Sequence, residues 1–305
     1  MTEFAPHRTW TDEELELARR DAIAAFIAER SAEGTARYRA NFAGALEKVE
    51  RLFAATDDLR TLGTGQALAD DAPLVELARY FAAPPISRDD LNTLAGANVA
   101  TRRRLDAHLG LKAAEVILSA VDPERFQWLF DDSPRAPSDS ERMIALRWTA
   151  GVKASAETST GRRGESATRQ EAAVRQLLID HDFVQVPARP VDVTGAPLQR
   201  GQFMREALVV GIKCDVPVAL RDGRLLLLEC KVSNSATNSV KRLNRETGGK
   251  ARDWNGRFGE RAITGAVLAG VFKLRNLKTA QAGGVAIYWE QDLDALAAFL
   301  AAATS

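Results

Sequence analysis

Residues that could hold a divalent cation gather at the ends of two neighbouring predicted strands. Asp215 begins the first run, and Glu229 and Lys231 end the second. Because side chains alternate along a strand, Glu229 and Lys231 share one face. Mg²⁺ prefers one or two carboxylates together with waters and phosphate oxygens. The pattern predicts Asp215 and Glu229 as Mg²⁺ ligands. Lys231 is then placed to orient or help deprotonate an attacking water and to offset charge on the phosphorus.

A simpler interpretation of Glu229 and Lys231 is a solvated ion pair at a strand end. Four leucines, Leu225–Leu228, run directly into Glu229. A continuous apolar run of this kind is typical of a strand covered on both faces. Charged groups at the end of such a covered strand are costly to bury unless they bind a partner. This cost favours the metal site over the solvated ion pair.

The turn between the two runs decides whether Asp215 can reach Glu229. The dipeptide Asp222–Gly223 tolerates the positive φ angles of a hairpin turn. A loop of only these two residues would place Asp215 on the side of the strand opposite to Glu229. A three-residue loop, Arg221–Gly223, with its glycine in the left-handed region places the two acids across from each other, as would a bulge at Pro217. The metal site therefore predicts the longer turn or the bulge.

The triad Asp215, Glu229 and Lys231 resembles the active site of the PD-(D/E)xK nuclease superfamily, which has the restriction-endonuclease-like fold. Further segments carry a resemblance to the XamI-like family of type II restriction endonucleases: Glu229–Ser235, Asn238–Leu243, Arg8–Trp10 and Pro84–Asp90. Superfamily membership rests on the C-terminal half of the chain.

The resemblance implies a Mg²⁺-dependent enzyme that cleaves double-stranded DNA at a specific short site and leaves 5′-phosphates. It also implies a homodimer, so that two sites cut both strands of a palindrome, and a cognate DNA methyltransferase as functional counterpart. A carboxylate from the first helix of the catalytic core often joins the metal site in this superfamily, which points to Glu171, with Glu165 in reserve. Glu171 equally fits a capping box that begins at Thr168.

Charge is distributed unevenly along a chain whose net charge is zero. Residues 151–305 hold 22 Lys and Arg against 16 Asp and Glu, a net charge of +6, and the preceding residues carry −6. The most basic segment, Lys241–Arg261, has seven basic residues against three acidic ones. A solvated helix face is the alternative, but the neighbouring triad favours a surface that faces phosphates.

Small polar and basic residues on either side of the triad are the candidates for DNA contact. Thr158–Arg163 belongs to a polar stretch, 155–164, that we expect to be a loop carrying two arginines. A string of small polar residues after Lys231 leads into a predicted helix over 238–247. The candidates are Arg162, Arg163, Ser233, Asn234, Ser235, Asn238, Lys241, Arg242 and Arg245.

Composition predicts a cytoplasmic protein with a full hydrophobic core. The chain has 305 residues, of which 46% are hydrophobic, and no apolar run of membrane-spanning length. Its start lacks the character of a signal peptide. The two cysteines, Cys214 and Cys230, are better interpreted as small core residues than as a disulfide.

The periodicity predicts two domains. Residues 1–135 give amphipathic helical patterns, including a capping box at Thr11 and Glu14, and we expect an all-α domain for recognition, dimerisation or both. Residues 136–305 alternate helices and strands, which predicts an α/β restriction-endonuclease-like core: a mixed sheet flanked by helices. Two other functions fit this fold, a DNA repair nuclease specific for structured ends and a catalytically inactive DNA-binding protein.

Overall fold

A computed structural model describes residues 4–131 and 135–304. The chain divides into two compact units. One holds the described residues up to Ala32 and from Arg162 onward, and the other spans Glu33–Gly161. In the described part of the chain, no helix combines the length and apolar character needed to cross a membrane.

The helices are α1 (Asp12–Glu33), α2 (Ala36–Ala55), α3 (Gln66–Asp70), α4 (Leu74–Ala78), α5 (Arg88–Ala95), α6 (Ala107–Leu118), α7 (Asp139–Asp180), α8 (Ala236–Ser239), α9 (Gly248–Phe258), α10 (Leu274–Ala282) and α11 (Asp294–Ala302). The strands are β1 (Val184–Gln185), β2 (Gln202–Phe203), β3 (Ala207–Val209), β4 (Ile212–Cys214), β5 (Val216–Ala219), β6 (Leu225–Ser233), β7 (Ala262–Gly270) and β8 (Val285–Trp289). Between α8 and α9, the segment Val240–Thr247 is π-helical.

The sheet has the order β1-β2-β5-β6-β7-β8. β5 pairs antiparallel with β2 and β6, whereas β6, β7 and β8 run parallel to one another. A separate antiparallel pair is formed by β3 and β4. The predicted mixed sheet is therefore present, and β6 lies inside it with paired strands on both sides.

Both faces of β6 are covered, as its leucine run predicts. Leu226 and Leu228 share a core cluster with Val174 of α7. Leu225 and Leu227 lie in a different cluster, together with Trp254 of α9. Because alternate residues enter different clusters, helices flank this strand on its two sides. The charged residues Glu229 and Lys231 therefore follow directly on a part of β6 that is buried among apolar side chains.

The compact units do not coincide with the expected division near residue 135. Trp10 and Leu15 belong to the same core cluster as the sheet, and the Trp10 indole N–H donates to the carbonyl of Ile287 at 2.8 Å. Ala145 and Leu146 instead pack with the core of the Glu33–Gly161 unit. Each segment belongs to the compact unit in which its side chains are buried. The order of residues in the sequence does not reveal where that burial occurs.

The expected loop at 155–164 is wrong, because α7 continues through it for 42 residues. Two glycines cost a helix only about 1 kcal/mol each, and no proline interrupts this segment. Thr158 is buried and accepts a hydrogen bond from Asn41 at 2.9 Å, while Lys153 pairs with Glu157 one turn away. These contacts support the helix where its polar composition suggested a break.

Candidate active site

Asp215, Glu229 and Lys231 meet at one point beside the central strand. The ammonium of Lys231 lies 3.0 Å from Oδ2 of Asp215 and 2.8 Å from Oε2 of Glu229. The backbone N–H of Cys230 also donates to Oδ2 of Asp215, at 2.8 Å. The two acids and the amine that the sequence predicts as a group are thus in direct contact.

The hairpin between β5 and β6 produces this contact through the longer of the two possible turns. Val216 pairs with Leu228, and Ala219 pairs with Leu225. The N–H of Leu220 donates to the carbonyl of Arg224 at 2.8 Å, which leaves three residues in the loop, and Gly223 has φ +93°. The predicted three-residue loop is confirmed, and its register carries Asp215 to the position across from Glu229.

The electrostatics of the site make Lys231 a cation. Burial alone lowers the pKa of Lys231, but the adjacent carboxylates of Glu229 and Asp215 raise it further, and the net pKa lies well above its ordinary value. Lys231 is therefore an ammonium at neutral pH in the metal-free protein. This positive charge fits the predicted role of Lys231 in offsetting negative charge on the phosphorus.

One oxygen of the site is buried without a partner. The Glu229 side chain has no exposed surface, and its Oε1 has no hydrogen-bond partner among the described residues. Leaving a buried acceptor unsatisfied costs about 1–3 kcal/mol, and more for a charged group. A cation bound at Oε1 would remove this cost.

The donor set fits an open divalent-metal site. In residues 4–131 and 135–304, no group of three or more His, Cys, Asp and Glu side chains surrounds a common metal position. Mg²⁺ commonly binds through one or two carboxylates and completes its shell with waters and substrate phosphates. Asp215 and Glu229 supply those two carboxylates, so the residues present fit Mg²⁺ bound together with substrate.

Glu171 lies in the interior of α7, so its predicted capping role is wrong. The helix begins 32 residues earlier, where Ser138 and Glu141 cap it reciprocally. Burial and the negative charge of Asp215 raise the pKa of Glu171 above its ordinary value. Glu171 is therefore a neighbour of the acid pair. Glu165 is exposed and sits six residues earlier, about 9 Å along the helix axis.

Lys250 is a member of the site that the sequence analysis missed. Its ammonium lies 2.7 Å from Oε2 of Glu229 and 2.6 Å from the carbonyl oxygen of Lys213. Lys250 begins a stripe at four-residue spacing with Trp254 and Phe258, both of which are buried. A lysine on the apolar stripe of a helix is the signal that could have identified it.

The polar residues that follow Lys231 have different surroundings. Ser233 is fully buried and its hydroxyl donates to the carbonyl of Ser235 at 2.8 Å, so it shapes the strand end instead of presenting a donor to DNA. Asn234 is exposed, and Ser235 is half-buried. The side chain of Asn238 lies outside the described part of the structure.

The basic candidates also separate by exposure. Lys241 and Arg245 are exposed on the π-helical segment. Arg242 is half-buried, and its guanidinium donates to the carbonyl of Val232 near the end of β6. Arg162 is half-buried within α7, and the side chain of Arg163 lies outside the described part.

Comparison with known proteins identifies the family. The family described as XamI restriction endonuclease matches residues 58–289, which is more than half of the chain. This chain belongs to that family. It is 36% identical over 264 residues to the type II restriction enzyme XamI of Xanthomonas campestris pv. amaranthicola, covering 84% of this chain and 93% of that enzyme. No solved structure matches it. As a member of the XamI family, the chain is an endodeoxyribonuclease, and type II restriction enzymes generally need a divalent metal.

Proposed function

We propose that this protein is a Mg²⁺-dependent type II restriction endonuclease that cleaves both strands of double-stranded DNA at a short specific site and leaves 5′-phosphates. The observation that carries the proposal is the shared contact of Asp215 and Glu229 with the Lys231 ammonium, at 3.0 and 2.8 Å. An ion pair at a solvated strand end would not bury Glu229 completely or leave its Oε1 without a partner.

Each residue of the site has a role in hydrolysis that follows from its position. Asp215 and Glu229 would hold Mg²⁺, which when bound supplies Lewis-acid stabilisation of the charge that develops on the phosphate. Lys231 contributes a fixed positive charge beside the reacting phosphate and orients the attacking water. Glu171, close to Asp215 on the side of α7, assists as a further acceptor near the acid pair.

DNA contact is assigned first to exposed groups beside this site. Lys241 and Arg245 can reach phosphates from the π-helical segment, and Asn234 is exposed just after β6. The other candidates stay predictions: Arg162, Arg163, Ser235, Asn238 and Arg242. Ser233 is buried and is no longer among them.

The assembly and cellular context are also part of the proposal. A homodimer would place one site on each strand of a palindrome. A single site could not cut both strands at once. The mostly helical Glu33–Gly161 unit would then serve recognition, dimerisation or both. A cognate DNA methyltransferase would protect the host DNA, and both enzymes would work in the cytoplasm.

Digestion of long DNA tests the proposal. The purified protein is incubated with phage-length DNA and Mg²⁺, and the ends are sequenced. Discrete fragments with one common end sequence and ligatable 5′-phosphates are the expected result, and EDTA should prevent them. A smear of unrelated ends would indicate a repair or structure-specific nuclease. DNA binding without cleavage in either Mg²⁺ or Mn²⁺ would indicate an inactive DNA-binding protein.

A further inference from the structure

Two lysines from different elements contact the same oxygen of Glu229. Lys231, on the same strand, lies 2.8 Å from Oε2, and Lys250, on α9, lies 2.7 Å from it. Together with Asp215, these residues form a group of two carboxylates and two ammonium groups. The formal charges of these four side chains cancel, so each carboxylate of the pair is matched by an ammonium group.

Lys250 is fixed in this position by the protein. Its ammonium also donates to the carbonyl of Lys213, two residues before Asp215, at 2.6 Å. It lies 5.9 Å from the ring centre of Trp254, which is fully buried one helical turn later. Lys250 therefore links Glu229 of β6 to β4, and its side chain is only 22% exposed.

A divalent cation on Glu229 would face this ammonium at short range. Oε1 is the oxygen left without a partner, and Mg²⁺–oxygen distances are about 2.0–2.1 Å. Because metal and ammonium would share one carboxylate, they would repel each other with little solvent between them. A DNA phosphate brings negative charge to the same point and weakens that repulsion.

We propose that Lys250 is a resident countercation of Glu229: it balances the buried carboxylate in the metal-free protein and weakens divalent-metal binding until a DNA phosphate enters the site. The inference rests on the proposed metal-binding role of Glu229. Lys250 is a positioning residue in this account, since it acts on the metal through Glu229. Its effect couples metal binding to substrate binding, so the DNA-free enzyme holds little metal.

Mn²⁺ binding to the DNA-free full-length protein tests this role without turnover. Bound Mn²⁺ is counted by loss of the free-ion signal in electron paramagnetic resonance. The variants are Lys250→Met and Lys250→Gln, which remove the charge, and Lys250→Arg, which keeps it. Lys213→Met is the matched control, because it removes a nearby lysine charge and leaves the backbone carbonyl that Lys250 contacts. Circular dichroism establishes that each variant is folded, and Lys250→Gln decides the outcome if Lys250→Met is not.

The direction of the change in Mn²⁺ affinity distinguishes a countercation from a residue that only supports the fold. We expect the two neutral variants to bind Mn²⁺ about tenfold more tightly than the wild type, as removal of a nearby like charge requires. They should also melt at a lower temperature in EDTA, because Glu229 loses one of its two partners. Lys250→Arg should bind Mn²⁺ like the wild type. Lys213→Met should tighten Mn²⁺ binding much less than the neutral Lys250 variants do, because the Lys213 ammonium is exposed and already pairs with Glu206. The countercation role would be overturned if the neutral variants bound Mn²⁺ no more tightly than the wild type. It would also be overturned if Lys250→Arg bound Mn²⁺ as tightly as the neutral variants.

Glu229→Gln separates failure of this inference from failure of the proposed function. If Glu229→Gln binds Mn²⁺ as well as the wild type, Glu229 is not a metal ligand and the proposed site itself fails. If Glu229→Gln loses Mn²⁺ binding while the neutral Lys250 variants leave it unchanged, only the role of Lys250 fails.

Discussion

Lys231 and Asp215 lie 16 residues apart in the chain, yet Nζ of the lysine is 3.0 Å from Oδ2 of the aspartate. The hairpin register creates this contact. The three-residue loop pairs Val216 with Leu228, so Asp215, the residue before Val216, lies across from Glu229. The catalytic assignment therefore depends on a turn that lies at the far end of the hairpin.

Lys231→Ala should abolish DNA cleavage while largely preserving DNA binding. The substitution removes the charge between the two acids, and loss of one such group typically lowers the rate by about 10²–10³-fold. Cleavage is measured in Mg²⁺, and binding is measured in Ca²⁺ by gel shift. Lys213→Ala, at an exposed lysine that pairs with Glu206, is the control and should retain most activity. A Lys231→Ala enzyme that cuts at the normal rate would remove this residue from the mechanism.

Glu171→Gln should stabilise the protein and weaken cleavage. Burial and Asp215 raise the pKa of Glu171, so its ionised form is disfavoured in the folded state. This penalty grows as the pH rises from the unfolded pKa through the higher folded pKa of Glu171, and it is absent below the unfolded pKa. The free energy of unfolding should therefore increase slightly at pH 7, by less than about 1 kcal/mol for a partly exposed group, with no gain near pH 4.

Urea denaturation at the two pH values measures this difference. Glu165→Gln, on an exposed part of the same helix, is the matched control and should reproduce neither the pH-dependent gain in stability nor the loss of cleavage. The opposite pattern, in which Glu165→Gln impairs cleavage and Glu171→Gln does not, would make Glu165 the helix carboxylate of the site.

Lys241 and Arg245 should differ from Arg242 in their effect on DNA binding. Alanine at either exposed residue should weaken DNA affinity and reduce the salt dependence of binding by about one phosphate contact. Arg242→Ala should mainly lower the free energy of unfolding, by about 1 kcal/mol, because its guanidinium binds the Val232 carbonyl. DNA titrations at several salt concentrations, with thermal melts of each variant, give both quantities. If only Arg242→Ala reduced the salt dependence of DNA binding, Arg242 would be the phosphate contact, and Lys241 and Arg245 would not.

Gly223→Ala should destabilise the hairpin that brings Asp215 to Lys231. Gly223 has φ +93°, a conformation that residues with a Cβ rarely adopt, and the cost is about 1 kcal/mol or more. Gly256→Ala in α9 provides the comparison, because a Cβ there meets nothing within 4 Å, and the helix should gain about 0.5–1 kcal/mol. Chemical denaturation of both variants measures the two signs. Equal stability of Gly223→Ala and the wild type would argue against this turn.

The sequence was sufficient to predict the part of the site that local chain geometry controls. Alternation along β6 places Glu229 and Lys231 together, and the requirement that Asp215 join them selects the longer turn. The leucine run predicts a strand covered on both faces, since strands of this composition need apolar cover. Each of these inferences depends on residues close together in the chain.

The parts that were missed depend on distant contacts. The helix α7 passes through 155–164 because buried side chains and the Asn41 contact compensate for its polar composition. Lys250 reaches Glu229 only because a helix that starts 15 residues after β6 packs its stripe against the sheet. Similarly, Trp10 joins the sheet unit through a hydrogen bond to Ile287, 277 residues away. No periodicity or motif in the sequence records such pairings.

The position of a bound metal tests the central claim most directly. Crystals of the protein can be grown with Mn²⁺ and DNA that carries a non-hydrolysable phosphate analogue at the cleavage position, and anomalous scattering then locates the ion. We expect an anomalous peak at bonding distance from Asp215 and from Oε1 of Glu229, next to a DNA phosphate. A peak that contacts neither carboxylate, with DNA phosphates far from Lys231, would contradict this account of the active site.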